Sequence, residues 1–389
     1  MKVTGNDLIG WMESWAPRSL AESWDHPGLQ VGDPRRRVTK VLISLDLTEE
    51  NVDLAVREGA EMVISHHPFL FKAIRELDLR TYKGRVIEKL VKHDILSFAA
   101  HTNLDTAKGG VNDALAAALS LSDMEGLVFE QETKERKLAL YVKPVTAKVL
   151  RHTLSELYGD AVNHFYLLDD EDDATDEAKL ECNVPTALLA SVLAKVQEIC
   201  GDIHYDVYTL ESHGYKEYMG RIGNLPAPMS GKEALSYIKE KLGIPVLRYA
   251  GNPDTTISRV AVLGGAGSEF AALAKAKGAD LYLTGDLKYH EAQDASRLGL
   301  LIADGGHFYT ERVIVPALAK RLRTYAAEHG WEIEVIEDSR AEDIFGEMWK
   351  NRFVVSLRGV PPLDSEPDFN LSLEKIPSPC YTVAREQER

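Results

Sequence analysis

Two heptapeptides far apart in the chain line up without a gap: Gly59-Ala60-Glu61-Met62-Val63-Ile64-Ser65 and Gly278-Ala279-Asp280-Leu281-Tyr282-Leu283-Thr284. Each sets a short apolar run, of strand character, among amphipathic stretches of helical period. The surroundings repeat the layout. In the first half, residues 38–47, 61–65 and 95–100 read as strands, and residues 49–58, 84–92 and 111–119 as helices. In the second half, residues 260–264, 280–284 and 300–303 read as strands, with helices over 268–276 and 289–296. Strands alternating with helices of this length imply βαβ units. The expected fold class is therefore α/β, with two similar βαβ-rich halves, residues 1–130 and 218–338, forming one core with mostly parallel sheets. An amphipathic helix over residues 5–15, ended by Pro17, opens the chain.

Between the halves the character changes. The charged stretch 130–137 reads as a boundary. A strand (138–142), a helix (147–157), a strand near 164–168, a strand (180–184), a helix (187–199) and a strand (203–210) follow. This rhythm suggests an inserted ferredoxin-like α+β domain, residues 131–217. Its acidic run, residues 169–173, reads as a solvated loop. Beyond Asp338 the pattern fades, so residues 339–389 are expected to form a C-terminal extension.

Charge and cysteine usage exclude several classes. A formal net charge of −16, with no compensating basic domain, opposes nucleic acid and anionic membranes as partners. The densest basic run, Arg35-Arg36-Arg37, reads as a solvated turn after Pro34. Cys182, Cys200 and Cys380 match no thiolate metal motif and read as reduced thiols. Asp7 and Glu13 interrupt the N-terminal apolar residues, so no signal peptide is expected there. No apolar run reaches the ~18 residues that span a bilayer. A cytoplasmic protein is expected.

The chemistry concentrates at predicted strand ends. Ser65-His66-His67-Pro68 follows one strand, His101-Thr102-Asn103-Leu104-Asp105 another, and Gly306-His307-Phe308-Tyr309-Thr310-Glu311 a third. In open α/β sheets, sites form at the carboxyl ends of the strands, which puts His66, His67, His101 and Asp105 on one edge. His307 and Glu311 are four apart and share a helix face. Nitrogen and oxygen donors of this kind suit Zn²⁺, Fe²⁺ or Mn²⁺ better than Ca²⁺ or an iron–sulfur cluster.

In this order the motifs resemble the NIF-three-like family of dinuclear metal proteins, whose bacterial members bear the name GTP cyclohydrolase 1 type 2 homolog. The resemblance covers residues 1–130 and 215–338. It runs through Trp24-Asp25, Gly28-Leu29-Gln30-Val31-Gly32, the His66-His67 pair, Lys83-Gly84-Arg85 and His101 to Asp105. It continues through Gly220-Arg221-Ile222-Gly223, Gly285-Asp286 with His290, and His307 with Glu311. His26 stands where an Asn usually follows the Trp-Asp pair. The insert, whose counterpart in longer members resembles small trimeric ferredoxin-like proteins, lacks an expected Gly- and aromatic-rich stretch.

The resemblance implies two divalent ions per chain. His67 and Asp105 would bind one, His66 and His307 the other, and Glu311 would bridge them. Neighbouring side chains at a strand end splay apart, so His66 and His67 serve two ions more easily than one. His101, Asp286 and His290 are candidates to orient a ligand or transfer a proton. Trp24 and Asp25 read first as structural. The resemblance also implies a toroidal homohexamer with its metal sites facing an inner cavity. The expected function is a metal-dependent hydrolase acting on a small molecule, with purine nucleotide ring opening suggested by the family name alone. No Gly-x-x-x-x-Gly-Lys loop supports a nucleotide. The alternative is a metal-storing or regulatory scaffold protein without turnover.

Overall fold

Apolar runs buried on both faces build the first of two main sheets in the computed structural model, which describes residues 2–169 and 177–346. Residues 170–173 of the acidic run, Cys380 and most of the expected C-terminal extension lie outside the described residues. The strands are, in order, β1 (Val3–Thr4), β2 (Gly28–Val31), β3 (Arg37–Val38), β4 (Lys40–Ser44), β5 (Met62–Ser65) and β6 (Leu96–Ala99). Four more follow: β7 (Ser122–Val142), β8 (Asn163–Asp169), β9 (Ala178–Pro185) and β10 (Tyr205–Ser230). The last are β11 (Arg248–Ala250), β12 (Thr256–Ala266), β13 (Leu281–Gly285), β14 (Leu301–Asp304) and β15 (Glu334–Glu337).

The five-stranded sheet has the order β15-β4-β5-β6-β2 and is parallel except for β2. Its central strands bury Val41, Leu42, Ile43, Met62, Val63 and Ile64, the unbroken apolar reading of a covered parallel sheet. Leu42 and Val63 face the helices Glu49–Glu58 and Tyr82–Lys92, where Val52, Val86 and Leu90 meet them. Val41, Ile43, Met62 and Ile64 face Leu8 and Met12 of Gly5–Trp15 and Leu318 and Leu322 of Ile314–Glu328. Each such side chain, fully buried, contributes roughly 1.5–3 kcal/mol.

The eight-stranded sheet corrects the expectation of mostly parallel pairing. Its order is β11-β14-β13-β12-β10-β7-β9-β8, and only β12–β13 and β13–β14 run parallel. The cause is the length of β7 and β10, which span 21 and 26 residues and pair antiparallel along most of their course. The charged stretch read as a boundary lies inside β7, where Glu132 pairs with Lys216 and Gln131 with Glu217. Charge marked it as a loop, but an antiparallel ladder with one wet face accepts charged residues.

The far ends of β7 and β10, with β8, β9 and the helices Pro144–Tyr158 and Leu189–Cys200, close around a cluster of their own, including Leu138, Leu140, Leu150, Leu180 and Val192. Among the described residues, no helix is long and apolar enough to cross a membrane.

Candidate metal centre

The carboxyl ends of six strands deliver the site. Asp46 follows β4, His66 and His67 follow β5, and His101 follows β6, while Gly265 is the last residue but one of β12, Asp286 follows β13 and His307 comes after β14. The histidine doublet is pinned by backbone: His66 N–H donates to Ser44 O and Leu45 O, and His67 N–H to Leu45 O at 2.9 Å.

Each histidine is oriented from behind. His66 Nδ1–H donates to Ala100 O at 2.8 Å, so in the neutral ring Nε2 presents its lone pair. That buried Nε2 has no hydrogen-bond partner, nor has Asp105 Oδ1, 3.6 Å away. His67 Nδ1 bonds Asp46 Oδ1 at 2.8 Å and its Nε2 bonds Glu311 Oε2 at 2.9 Å. His307 Nδ1 bonds Asp286 Oδ2 at 2.9 Å, and its Nε2 lies 3.1 Å from Glu311 Oε2. His101 Nδ1 bonds Asp25 Oδ1 at 2.9 Å.

Glu311 is the hub. Its Oε2 meets His67 and His307, while Oε1 lies 3.8 Å from His66 Nε2. Three overlapping groups of ligand atoms result, each within 4.8 Å: His66 with Asp105 and Glu311, His67 with His307 and Glu311, and His66 with His67 and His101. The two neighbouring histidines thus exchange partners relative to the grouping the resemblance implies, although Glu311 stays between them. His290 is not brought in. It is exposed in the helix Tyr289–Arg297, against the ring of Tyr289, with no bond to the cluster among the described residues.

Charge settles accordingly in the metal-free chain. Burial pushes the Asp105 carboxyl up to about 6. Burial would lower His67, but bonds to Asp46 and Glu311 outweigh it and hold the imidazole up to about 10. The bond to Glu311 raises His307 to about 9 against burial. Burial would raise Glu311, yet three imidazoles hold it well below the usual carboxylate range. Burial likewise works against the ionised Asp25, and bonds from His101 and Thr102 bring it down to about 2.

Glycine makes the room. Gly265 has φ +65°, and a Cβ there would lie 2.2 Å from Glu311 Oε1. Asn112, fully buried, donates from Nδ2 to Asp105 O and accepts from Gly264 N–H, both at 2.9 Å, so it ties the Asp105 segment to β12.

Residues 3–343 match the family described as Duf34/NIF3 (NGG1p interacting factor 3). The chain belongs to the DUF34/NIF3 family. Among relatives, a Listeria innocua protein named GTP cyclohydrolase 1 type 2 homolog is 35% identical over 371 residues, covering 89% of this chain and 99% of the relative. A Bacillus subtilis protein of the same name is 32% identical over 357 residues, covering 86% and 95%. The structure of a Bacillus cereus protein related to NIF3 superposes with a TM-score of 0.75 at 33% identity, covering 89% of this chain and 99% of that one.

Within this NIF3 chain, Asp46 went unread in the sequence. Its one signal is its place just beyond β4, on the edge that also carries His66, His67 and His101. Asp25, read as structural, supports His101, and Thr102 Oγ1–H donates to its Oδ2 at 2.6 Å.

Proposed function

We propose that this chain binds two divalent metal ions, of Zn²⁺, Fe²⁺ or Mn²⁺ type, and is a metal-dependent hydrolase of a small substrate. The observation that carries the reading is the pair of buried, unpartnered atoms His66 Nε2 and Asp105 Oδ1 beside Glu311. A buried polar atom without a partner costs about 1–3 kcal/mol, and a cation removes that cost. His66, Asp105 and Glu311 would hold one ion, and His67, His307 and Glu311 the other. Three protein donors to each ion leave coordination positions free, as at catalytic sites.

When bound, such a pair supplies ionised water near neutral pH and polarises a carbonyl or phosphoryl oxygen. The chain's own residues do the rest. Asp46 and Asp286 accept the Nδ1 protons of His67 and His307 and so turn each Nε2 to the centre. Asp25 does the same for His101, which is thereby set to take or give a proton beside His66 and His67. The side chains of His307 and Asp286 are 39% and 50% exposed, so the cluster opens to solvent on that side, which favours turnover over storage.

The repeated parallel units β4-β5-β6 and β12-β13-β14 support two similar halves, with Val41 opposite Met62 and Val260 opposite Leu281. The order β10-β7-β9-β8, with two helices and a separate apolar cluster, supports a ferredoxin-like insert. The same reading includes the homohexamer that the resemblance implies. The name borne by the relatives makes GTP the first substrate to try. Metal-loaded protein is expected to release formate from GTP or to hydrolyse another purine, phosphoester or cyclic amide. Absence of turnover across all of them would replace the hydrolase reading with metal storage or regulation.

A further inference from the structure

Two aromatic rings stand half in solvent beside the histidine cluster. Trp24 is 53% exposed and Phe71 44%. Each lies edge-on to the ring of His101, at 6.0 Å and 74° for Trp24 and at 6.2 Å and 83° for Phe71. The two rings are 5.9 Å apart at 65°. Three rings at steep mutual angles make a corner, and His101, with its ring centre 5.3 Å from His66 and 5.6 Å from His67, is the wall toward the centre.

Neither ring is loosely placed. Trp24 precedes Asp25, whose carboxylate is held by Thr102 and His101 and whose N–H donates to Glu22 O. Phe71 follows Leu70, whose N–H donates to Gln30 Oε1 on β2 at 3.0 Å. None of the cation–π contacts among the described residues involves either ring. Single exposed apolar side chains are ordinary on a surface, but two held side by side at the mouth of a buried polar cluster mark a seat for its ligand.

We propose that Trp24 and Phe71 form the seat of a planar heteroaromatic ligand of nucleobase size, stacked on one ring with its polar edge toward His101. The walls dictate the chemistry. Aromatic faces favour a flat conjugated ring over a sugar or a phosphate. With Nδ1 engaged by Asp25, His101 has Nε2 left for a ring nitrogen or carbonyl of the ligand. This rests on the hydrolase reading and names the class of molecule its centre would meet. Asp25 keeps its structural role, while the ring of Trp24 gains one in binding.

The test is calorimetric titration of the full chain, as purified and after chelation, with guanosine and adenosine, and with ribose 5-phosphate as the base-free control. Nucleosides are expected to bind better than the control. Trp24→Leu and Phe71→Leu are each expected to weaken nucleoside binding about tenfold, the scale of one lost base–aromatic stack, and Trp24→Phe to restore much of it. Metal content and sedimentation should match the parent in all three variants. Nucleosides that bind no better than ribose 5-phosphate, or that bind both leucine variants as tightly as the parent, overturn the proposal. So does a Trp24→Leu chain that changes its assembly state, since its ring would then belong to a subunit contact. Ring-dependent nucleoside binding by a chain that takes up no metal when offered Zn²⁺, Fe²⁺ or Mn²⁺ would uphold the seat and sink the metal reading alone.

Discussion

His66, His67, His101 and His307 each surrender Nδ1 to an oxygen behind them, from Ala100, Asp46, Asp25 and Asp286 respectively. Two of these rings carry protons that a metal must displace. His67 is held up to about 10 and His307 to about 9 in the metal-free chain, against an ordinary 6.5. Metal uptake at pH 8 should therefore release protons, and affinity should rise as pH climbs toward 10. Calorimetry in buffers of differing ionisation enthalpy counts them; uptake without proton release would contradict the assignment. The sign for stability follows from the same raised values. The imidazolium bonds stabilise the chelated fold fully below about pH 6.5 and are lost as pH rises through 9 and 10. Chelated protein should thus melt at lower temperature at pH 10 than at pH 8. Gly265→Ala tests the room around Glu311. Left-handed backbone costs a non-glycine residue about 1–2 kcal/mol, and the added methyl would displace the carboxylate, so metal content should fall with stability. A Gly265→Ala chain with parental metal content would contradict the placement of Glu311. At this scale the sequence was legible where residues came in pairs at fixed spacing, as His66-His67 and His307 with Glu311 did. Asp46 stands alone between leucines, with no spacing to mark it.

Strands and helices bring these residues together, and one amide stitches two of the segments. Asn112, on the helix Val111–Ala118, satisfies both Asp105 O and Gly264 N–H inside the core. Asn112→Ala should cost about 3 kcal/mol, from two buried backbone groups left without partners. A thermal or urea melt within 0.5 kcal/mol of the parent would refute the stitch, taking ~0.5 kcal/mol as the spread of neutral surface changes. The long ladder of β7 and β10 permits a larger cut. Lys137 pairs with Tyr208, so joining them by an Asn-Gly turn in place of residues 138–207 should leave a hairpin. The shortened chain should stay folded and keep its metal. Loss of all soluble protein would show that the core depends on the distal cluster. Local pattern revealed the helices Gly5–Trp15 and Glu49–Glu58, whose bounds match the expected ones. The helix Gly231–Leu242 went unassigned, although Ser230 and Glu233 form a capping box and Gly243 closes it. The extent of β7 was illegible because charge on a wet ladder looks like charge in a loop.

Across the whole molecule, two sheets of different character aim their strand ends at one carboxylate. β4, β5 and β6 bring Asp46, His66, His67 and His101, and the β12–β14 side brings Gly265, Asp286, His307 and Glu311. Pairing across these segments was beyond single-sequence pattern, which marks strands but not which sheet receives them. If the proposed hexamer forms, light scattering should give six times the 43.2 kDa of one chain. The most direct measurement is elemental analysis of protein purified without a chelating tag, for the parent and for Glu311→Gln. The parent should hold about two divalent ions per chain, and Glu311→Gln should lose more metal than His66→Ala or His307→Ala, since one carboxylate serves both groups. A parent that binds no metal when offered Zn²⁺, Fe²⁺ or Mn²⁺, or a Glu311→Gln chain with undiminished metal, would contradict the account.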